Sequence, residues 1–311
     1  MRLIAKSLTV ASIGLLAFSL SGCTTASLEG SESTPGSQGP AVSESAMTQM
    51  PVNEKIRALL PEKIRTAGVL KIASDPSYPP FEFFEGDQQI VGWDIDMGDA
   101  IGQVLGLETE HVAATFDTIL PGLNSGKYDL GMSAFSMTPD RQKAMDMVQY
   151  LSSGTGLAVP AGNPKKLSTS AASLCGLPIG AQKGTSQSLE ILPELSQECI
   201  AAGKPGIDAK LFPSTNDARL ALISGRVDGV LAGAPSLAYQ GKQSAGKFEL
   251  AEGEALSNRP IGIALPKDSE LTKAVGAAFD EVLSSDAYGQ INKKWDMPST
   301  SVMDQAKTTT K

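Results

Sequence analysis

The sequence predicts an α/β fold of two like lobes with a ligand cleft between them. Three observations carry that prediction. First, the stretch Leu123-Asn-Ser-Gly126-Lys-Tyr-Asp129-Leu-Gly-Met-Ser133 occurs again as Leu222-Ile-Ser-Gly225-Arg-Val-Asp228-Gly-Val-Leu-Ala232. Each copy reads as a helix end, a glycine cap, a basic residue and an aspartate that opens a buried strand. Helix-glycine-strand junctions are common, so the repeat taken alone also permits coincidence. Second, helical and strand periodicities alternate along the chain, the pattern of layered α/β units. Third, Asp75, Ser133 and Lys183 fall at the carboxyl ends of expected strands, where open α/β sheets hold their ligands.

Taken in order, residues 1–22 begin with Arg2 and Lys6, continue in an apolar run from Leu8 to Leu20, and end in small residues before Cys23. That is the layout of an export signal, and the run is shorter than a bilayer-spanning helix needs. The ending Leu20-Ser-Gly-Cys23 resembles a bacterial lipoprotein signal, which implies lipidation of Cys23. Residues 23–52 are rich in Ser, Thr, Gly, Pro and Gln, a composition that makes a flexible tether of roughly 30 Å root-mean-square span. The apolar alternation of Val69–Ser74 predicts a strand, and residues 94–105 carry apolar residues at helical spacing. Thr138, Pro139 and Asp140 are a helix start: a hydroxyl to cap, a proline for the first turn, and an acid at the positive end of the dipole. Arg141 then lies in that first turn, where a two-pronged donor and unpaired N–H groups suit a carboxylate. From this stretch alone a surface arginine paired with Asp140 or Asp146 is an equal reading.

Further on, residues 179–182 read as a strand, and residues 214–223, Leu271–Leu283 and 287–295 as helices, with a frayed tail over 298–311. Cys175 and Cys199 in an exported chain are expected to form a disulfide, which closes a loop of about 25 residues and contributes about 3 to 4 kcal/mol in the chain-entropy model. The only histidine, His111, reads as a surface residue, and no metal-ligand spacing, nucleophile motif or phosphate loop is present, so neither metal nor cofactor is expected. A net charge of −8 without any basic run argues against nucleic acid as a partner. The remaining apolar content suffices for one large or two medium domains.

Four motifs together resemble the family 3 extracellular solute-binding proteins of bacterial ABC importers, over the whole stretch from Leu59 to Trp295. They are Ser74-Asp-Pro-Ser-Tyr-Pro-Pro-Phe-Glu-Phe83, Gly92-Trp-Asp-Ile-Asp-Met97, residues 116–141, and Gly180-Ala-Gln-Lys-Gly-Thr-Ser-Gln187. The resemblance implies a type II periplasmic-binding-protein fold, with lobe 1 from residues 53–155 and 256–297 and lobe 2 from residues 156–255. Two strands, near 153–157 and 255–261, are expected to join the lobes as a hinge. It also implies site roles. Tyr78 and Phe116 would sandwich the ligand's carbon chain, and Asp75 would meet a polar or positive group. Ser133, the backbone at Ala134, Ser136 and Arg141 would take the carboxylate. Thr185 would add a hydroxyl and an N–H from lobe 2, while Gln182, Lys183 and Gln187 would read the side chain. Trp93, where the family usually has phenylalanine or tyrosine, is expected in the core.

One position departs from the family pattern. The strand opened by Asp228 usually ends in an acid that binds the ligand's α-ammonium, and here Gly233 stands in that place. A buried ammonium without a carboxylate partner is costly. The ligand is therefore expected to lack a primary α-ammonium, as betaine-like, cyclic or N-substituted compounds do, or to turn its charge toward Asp75, with Asp217 as another acid able to swing in. Gly233 would also leave room for a bulkier substituent. The expected function is ligand capture by a monomeric, lipid-anchored extracytoplasmic protein that closes on its ligand and serves a membrane permease, without catalysis. A cleft enzyme of the cyclohexadienyl dehydratase type, with Glu82 and Asp75 as its acids, and a ligand sensor are the rivals.

Overall fold

In the computed structural model, residues 49–304 apart from Asp87 are described. The export signal, Cys23, most of the tether and residues 305–311 lie outside the described residues. Helices α1 (Glu54–Arg57) and α2 (Glu62–Ala67) lead into strand β1 (Val69–Ser74). A small antiparallel sheet follows, made of β2 (Ser77–Tyr78), β3 (Glu82–Glu85) and β4 (Gln89–Val91). Helix α3 (Trp93–Leu105) then returns the chain to strand β5 (Glu108–Ala113), which pairs parallel with β1. Helix α4 (Phe116–Asn124) and strand β6 (Leu130–Ser136) place a third parallel strand on the other side of β1. The short helix α5 (Pro139–Ala144) opens onto the long strand β7 (Met145–Pro160).

The second half repeats this plan. Helix α6 (Ala171–Leu174) precedes strand β8 (Pro178–Gln182), and a π-helical turn (Gln187–Ile191) runs into helix α7 (Leu192–Ala201). Strand β9 (Asp208–Phe212), helix α8 (Thr215–Ile223) and strand β10 (Gly229–Gly233) follow, with β9 and β10 parallel to β8 on its two sides. Helix α9 (Ala234–Gln243), strand β11 (Phe248–Leu250), strand β12 (Leu256–Pro266), helix α10 (Leu271–Leu283) and helix α11 (Asp286–Lys294) complete the described chain. The large sheet runs β5-β1-β6-β12-β7-β10-β8-β9, with β11 also on β7.

The duplicated stretch is a structural repeat. Gly126 and Gly225 both hold φ near the left-handed value, 73° and 72°, where a side chain would be strained. Just after them, the Asp129 N–H donates to Lys71 O in β1 at 3.0 Å, and the Asp228 N–H donates to Pro178 O in β8 at 2.8 Å. Each aspartate thus starts a strand beside the first strand of its own half. The halves are joined by the β7–β12 ladder, which runs antiparallel from Met145↔Pro266 to Thr155↔Leu256. Each half has its own core. Trp93, Met97, Ile101 and Leu105 pack with Leu70, Ile72 and the apolar face of α10 in the first, and Leu157, Ile179, Leu192 and Leu231 pack in the second.

Several element boundaries coincide with the sequence reading because local patterns set them. Val69–Ser74 and Leu271–Leu283 match, and Ser214 and Ser285 cap α8 and α11 by accepting backbone N–H groups. Cys175 and Cys199 are bonded, with Cα atoms 5.5 Å apart. Trp93 is fully buried, its Nε1 donating to Asn292 Oδ1 at 2.8 Å. Three expectations need correction. Met50, assigned to the tether, is buried and its N–H donates to Gln103 Oε1 at 2.8 Å. The tail is not frayed over its first residues: Ser301 O accepts from the Ser152 N–H at 2.8 Å, and Val302 and Met303 pack on the first core. Short apolar insertions in a polar segment suffice for that packing, and composition averages over them. His111 is half-buried, with Nε2 2.8 Å from Asp99 Oδ1.

Candidate functional site

The carboxyl ends of β1, β6, β8 and β10 converge on a cleft floored by the hinge strands. Contacts between the two halves close it. Lys183 pairs with Asp117 at 2.8 Å, the Ser136 and Ser186 hydroxyls lie 3.1 Å apart, and the Ser236 hydroxyl donates to Pro79 O at 2.6 Å. Lys183, expected to read the ligand, is an exposed clamp on α4 instead.

Arg141 is positioned by the helix start that the sequence foreshadowed: the Thr138 hydroxyl accepts its N–H at 3.3 Å, and Pro139 occupies the first turn. The residue is 9% exposed, and its guanidinium lies 5.5 Å from the ring centres of both Phe116 and Phe135. Nη1 donates to Ser136 O and Nη2 to Gly184 O, each at 2.9 Å, so one contact comes from each half. Among the described residues no carboxylate pairs with it. Asp140 is taken by Lys143 and Asp146 by Lys267, which removes the surface-pair reading. Burial lowers its pKa to about 10, with Glu190 opposing and Arg259 adding to the shift, so it remains charged at neutral pH. A buried, charged fork with N–H groups to spare is the chemistry of carboxylate capture.

Across the cleft lie acids, all from the first half. Asp75 Oδ2 accepts from Gln182 Nε2 at 2.6 Å and from the Phe116 N–H at 3.2 Å. Burial pushes its carboxyl up, and the hydrogen bonds from Ser77, Gln182 and Phe116 oppose the shift. Glu82 is fully buried; Oε1 accepts from the Ser133 hydroxyl at 2.5 Å, while Oε2 has no hydrogen-bond partner among the described residues. Burial, then the charge of Asp94, holds Glu82 well above the usual carboxylate range. Asp94 accepts from the Tyr150 hydroxyl at 2.9 Å and the Ala134 N–H at 3.1 Å, and burial raises its pKa to about 6.

Apart from Lys183, the structure brings the expected ligand-site residues to the cleft wall, but turns several of their polar groups elsewhere. The Ala134 N–H faces Asp94 and Tyr150 rather than a ligand carboxylate, with φ of 46° twisting the strand there. The Ser133 hydroxyl is bonded to Glu82 and to the Asp75 N–H. Thr185 donates its hydroxyl to Gln182 O at 2.7 Å and accepts the Ser188 N–H where the chain enters the π-helical turn. Gln182 spans Asp75 and Thr215, and Gln187 donates to Thr155 Oγ1 at 2.8 Å. Tyr78 stacks on Phe81 and Phe116 on Phe135.

Gly233 corrects an expectation. It leaves no room for a ligand substituent, because a Cβ there would lie 2.3 Å from the Tyr78 hydroxyl, which accepts the Gly233 N–H at 2.8 Å. Asp217 does not replace the missing acid: its carboxylate accepts from Ser214 at the start of α8, away from the cleft wall. Sequence reasoning missed Ser153, Thr155 and Ser257, which line the cleft from the hinge strands. The run of small residues Ser152-Ser-Gly-Thr155 in the middle of the strand was the available signal.

Comparison with known proteins agrees with this geometry. The arginine-binding protein ArgT of Corynebacterium glutamicum is 31% identical over 294 residues, 94% of this chain and 92% of that one. An ancestral arginine-binding protein solved with arginine shares 31% identity at a TM-score of 0.67, over 73% of this chain and 98% of its own. The ancestral amino acid-binding protein AncCDT-1, a precursor of cyclohexadienyl dehydratase, shares 28% identity at a TM-score of 0.66, over 76% of this chain and 99% of its own. A sequence model of the bacterial extracellular solute-binding proteins, family 3, matches residues 70–298, and the chain belongs to that family.

Proposed function

We propose that this protein is the substrate-binding lipoprotein of an ABC importer, capturing a small carboxylate-bearing amino acid or amino-acid derivative and delivering it to a permease. The observation that carries the reading is the buried Arg141 guanidinium with no carboxylate partner among the described residues. A ligand carboxylate supplies the missing charge, and the ligand's chain runs between Tyr78 and Phe116 toward Asp75. Closure brings Gly184 O to Arg141, Gln182 to Asp75 and the Gly233 N–H to Tyr78, so the ligated form differs in surface from an open one. With no acid at Gly233, the ligand is betaine-like, cyclic or N-substituted, or else turns its cationic group toward Asp75. Lipidation of Cys23 holds the domain outside the membrane on its tether, and a Cys23→Ala chain is released from the membrane fraction.

A thermal-shift screen of amino acids, betaines and imino acids, followed by calorimetry of the hits, tests the reading. Saturable binding of carboxylate-bearing members supports it, and a screen without any hit overturns it. The buried Glu82, whose carboxyl burial pushes well above the usual carboxylate range, favours one second reading, a dehydratase using it as general acid. Turnover of prephenate or arogenate distinguishes that enzyme from a transporter component.

A further inference from the structure

Two hydroxyls that line the cleft come from the strands joining the halves. Ser153 lies in β7, and its Oγ is 3.3 Å from the point where a Cβ on Gly233 would stand, the point from which an acidic side chain would emerge. That hydroxyl donates to Gly154 O at 3.1 Å, which leaves its lone pairs to accept. Ser257 lies in β12, where the pairing with β7 slips between Leu256 and Arg259 and the backbone of Ser257 turns to φ of 43°. Its Oγ is buried, borders the cleft and has no hydrogen-bond partner among the described residues. A buried hydroxyl left unpaired is unfavourable, and a bulge that re-aims a side chain is a common device beside ligand sites. Two neighbouring hydroxyls each already accept one N–H, Thr155 from Gln187 and Tyr78 from Gly233.

We infer that the ligand's α-nitrogen is held at the cleft floor by the neutral hydroxyls of Ser153 and Ser257, one from each hinge strand, in place of a second-lobe carboxylate. The inference rests on the reading that Arg141 takes the ligand's carboxylate, since that contact sets which end of the ligand meets the floor. Hydroxyl acceptors need at least one N–H, so among the ligand classes proposed above an amine that keeps an N–H, cyclic or N-substituted or with its other cationic group at Asp75, fits this floor, and a quaternary one does not. They exert no charge attraction, so a ring or alkyl group on nitrogen costs little so long as one N–H remains. Because both acceptors sit on the strands that flex during closure, contact with the nitrogen ties occupancy to the hinge directly.

The test uses calorimetry on the full chain with paired probes: L-arginine against 5-guanidinopentanoate, and L-proline against cyclopentanecarboxylate, each pair differing only in the α-nitrogen. Ser153→Ala and Ser257→Ala should each weaken binding of the amino acid about tenfold, while leaving its nitrogen-free twin within twofold. Ser257→Gly relieves the positive φ as well as removing the hydroxyl, so it should melt no lower than the parent without ligand and lose binding as Ser257→Ala does. Equal affinity of parent and both alanine variants for the amino acid overturns the inference, as does equal weakening for both members of a pair, which marks a purely structural role. If neither L-arginine nor L-proline binds the parent, the α-amino assignment is overturned; if glycine betaine and the nitrogen-free acids also fail, the carboxylate reading falls with it.

Discussion

The two copies of the duplicated stretch end differently, and that difference sets the polarity of the cleft. In the first, β6 ends at Ser136 and passes through Thr138 and Pro139 to Arg141, a buried cation. In the second, β10 ends at Gly233 and passes through Ala234 and Pro235 to Ser236, with no charge at all. Both helices begin with a proline in the first turn and both strands lean on an aspartate at their start, so the scaffold is the same. The acids Asp75, Glu82 and Asp94 also belong to the first half. One half therefore supplies the buried cation and the buried acids around the cleft, and the other supplies backbone, amide and hydroxyl groups that complete the enclosure.

The largest effect should come from the charged copy. Arg141→Ala removes a buried charge-assisted contact of about 2 to 5 kcal/mol and should weaken calorimetric binding at least tenfold. Retained affinity would take Arg141 out of the site. Next in size is the pH response of the acids. Asp94 has its pKa raised from 3.8 to about 6, so the folded state binds its proton more tightly than the unfolded chain does. Its contribution is fully present below pH 3.8 and is lost as the pH rises through about 6, a fall of about 3 kcal/mol at 1.36 kcal/mol per unit. Denaturation of Asp94→Asn across that window should show this part of the slope removed, and an unchanged slope would mean that the charge is compensated elsewhere. The smallest effect tests the uncharged copy. Gly233→Asp puts back an acid where the Tyr78 hydroxyl already sits, at a cost of about 1 to 3 kcal/mol that lowers the melting temperature. Adding Tyr78→Phe should recover most of that loss. If Gly233→Asp alone melts like the parent, the close approach of Tyr78 does not exclude an acid.

Much of the fold was legible because its signals are local. The strand Val69–Ser74, the helix Leu271–Leu283, the cap at Thr138 and the junctions at Gly126 and Gly225 depend on residues a few positions apart. The candidate site was legible where a motif carries its own geometry, as at Arg141. It was less so where polar groups choose among distant partners. Ala134, Ser133 and Thr185 border the cleft as expected, yet their donors are spent on Asp94, Glu82 and Gln182.

Composition, periodicity and capping chemistry by themselves determined an α/β chain of two related halves and a helix start that presents an arginine, and the resemblance to the family marked Gly233 as standing where an acid is usual. Only the tertiary structure decided what stands in that acid's place. The Tyr78 hydroxyl that fills it comes from 155 positions earlier in the chain, and Ser257 reaches the floor only through a slip in strand pairing. Steric exclusion and hydrogen-bond choice depend on ångström distances between segments far apart in sequence, and no local pattern encodes those distances.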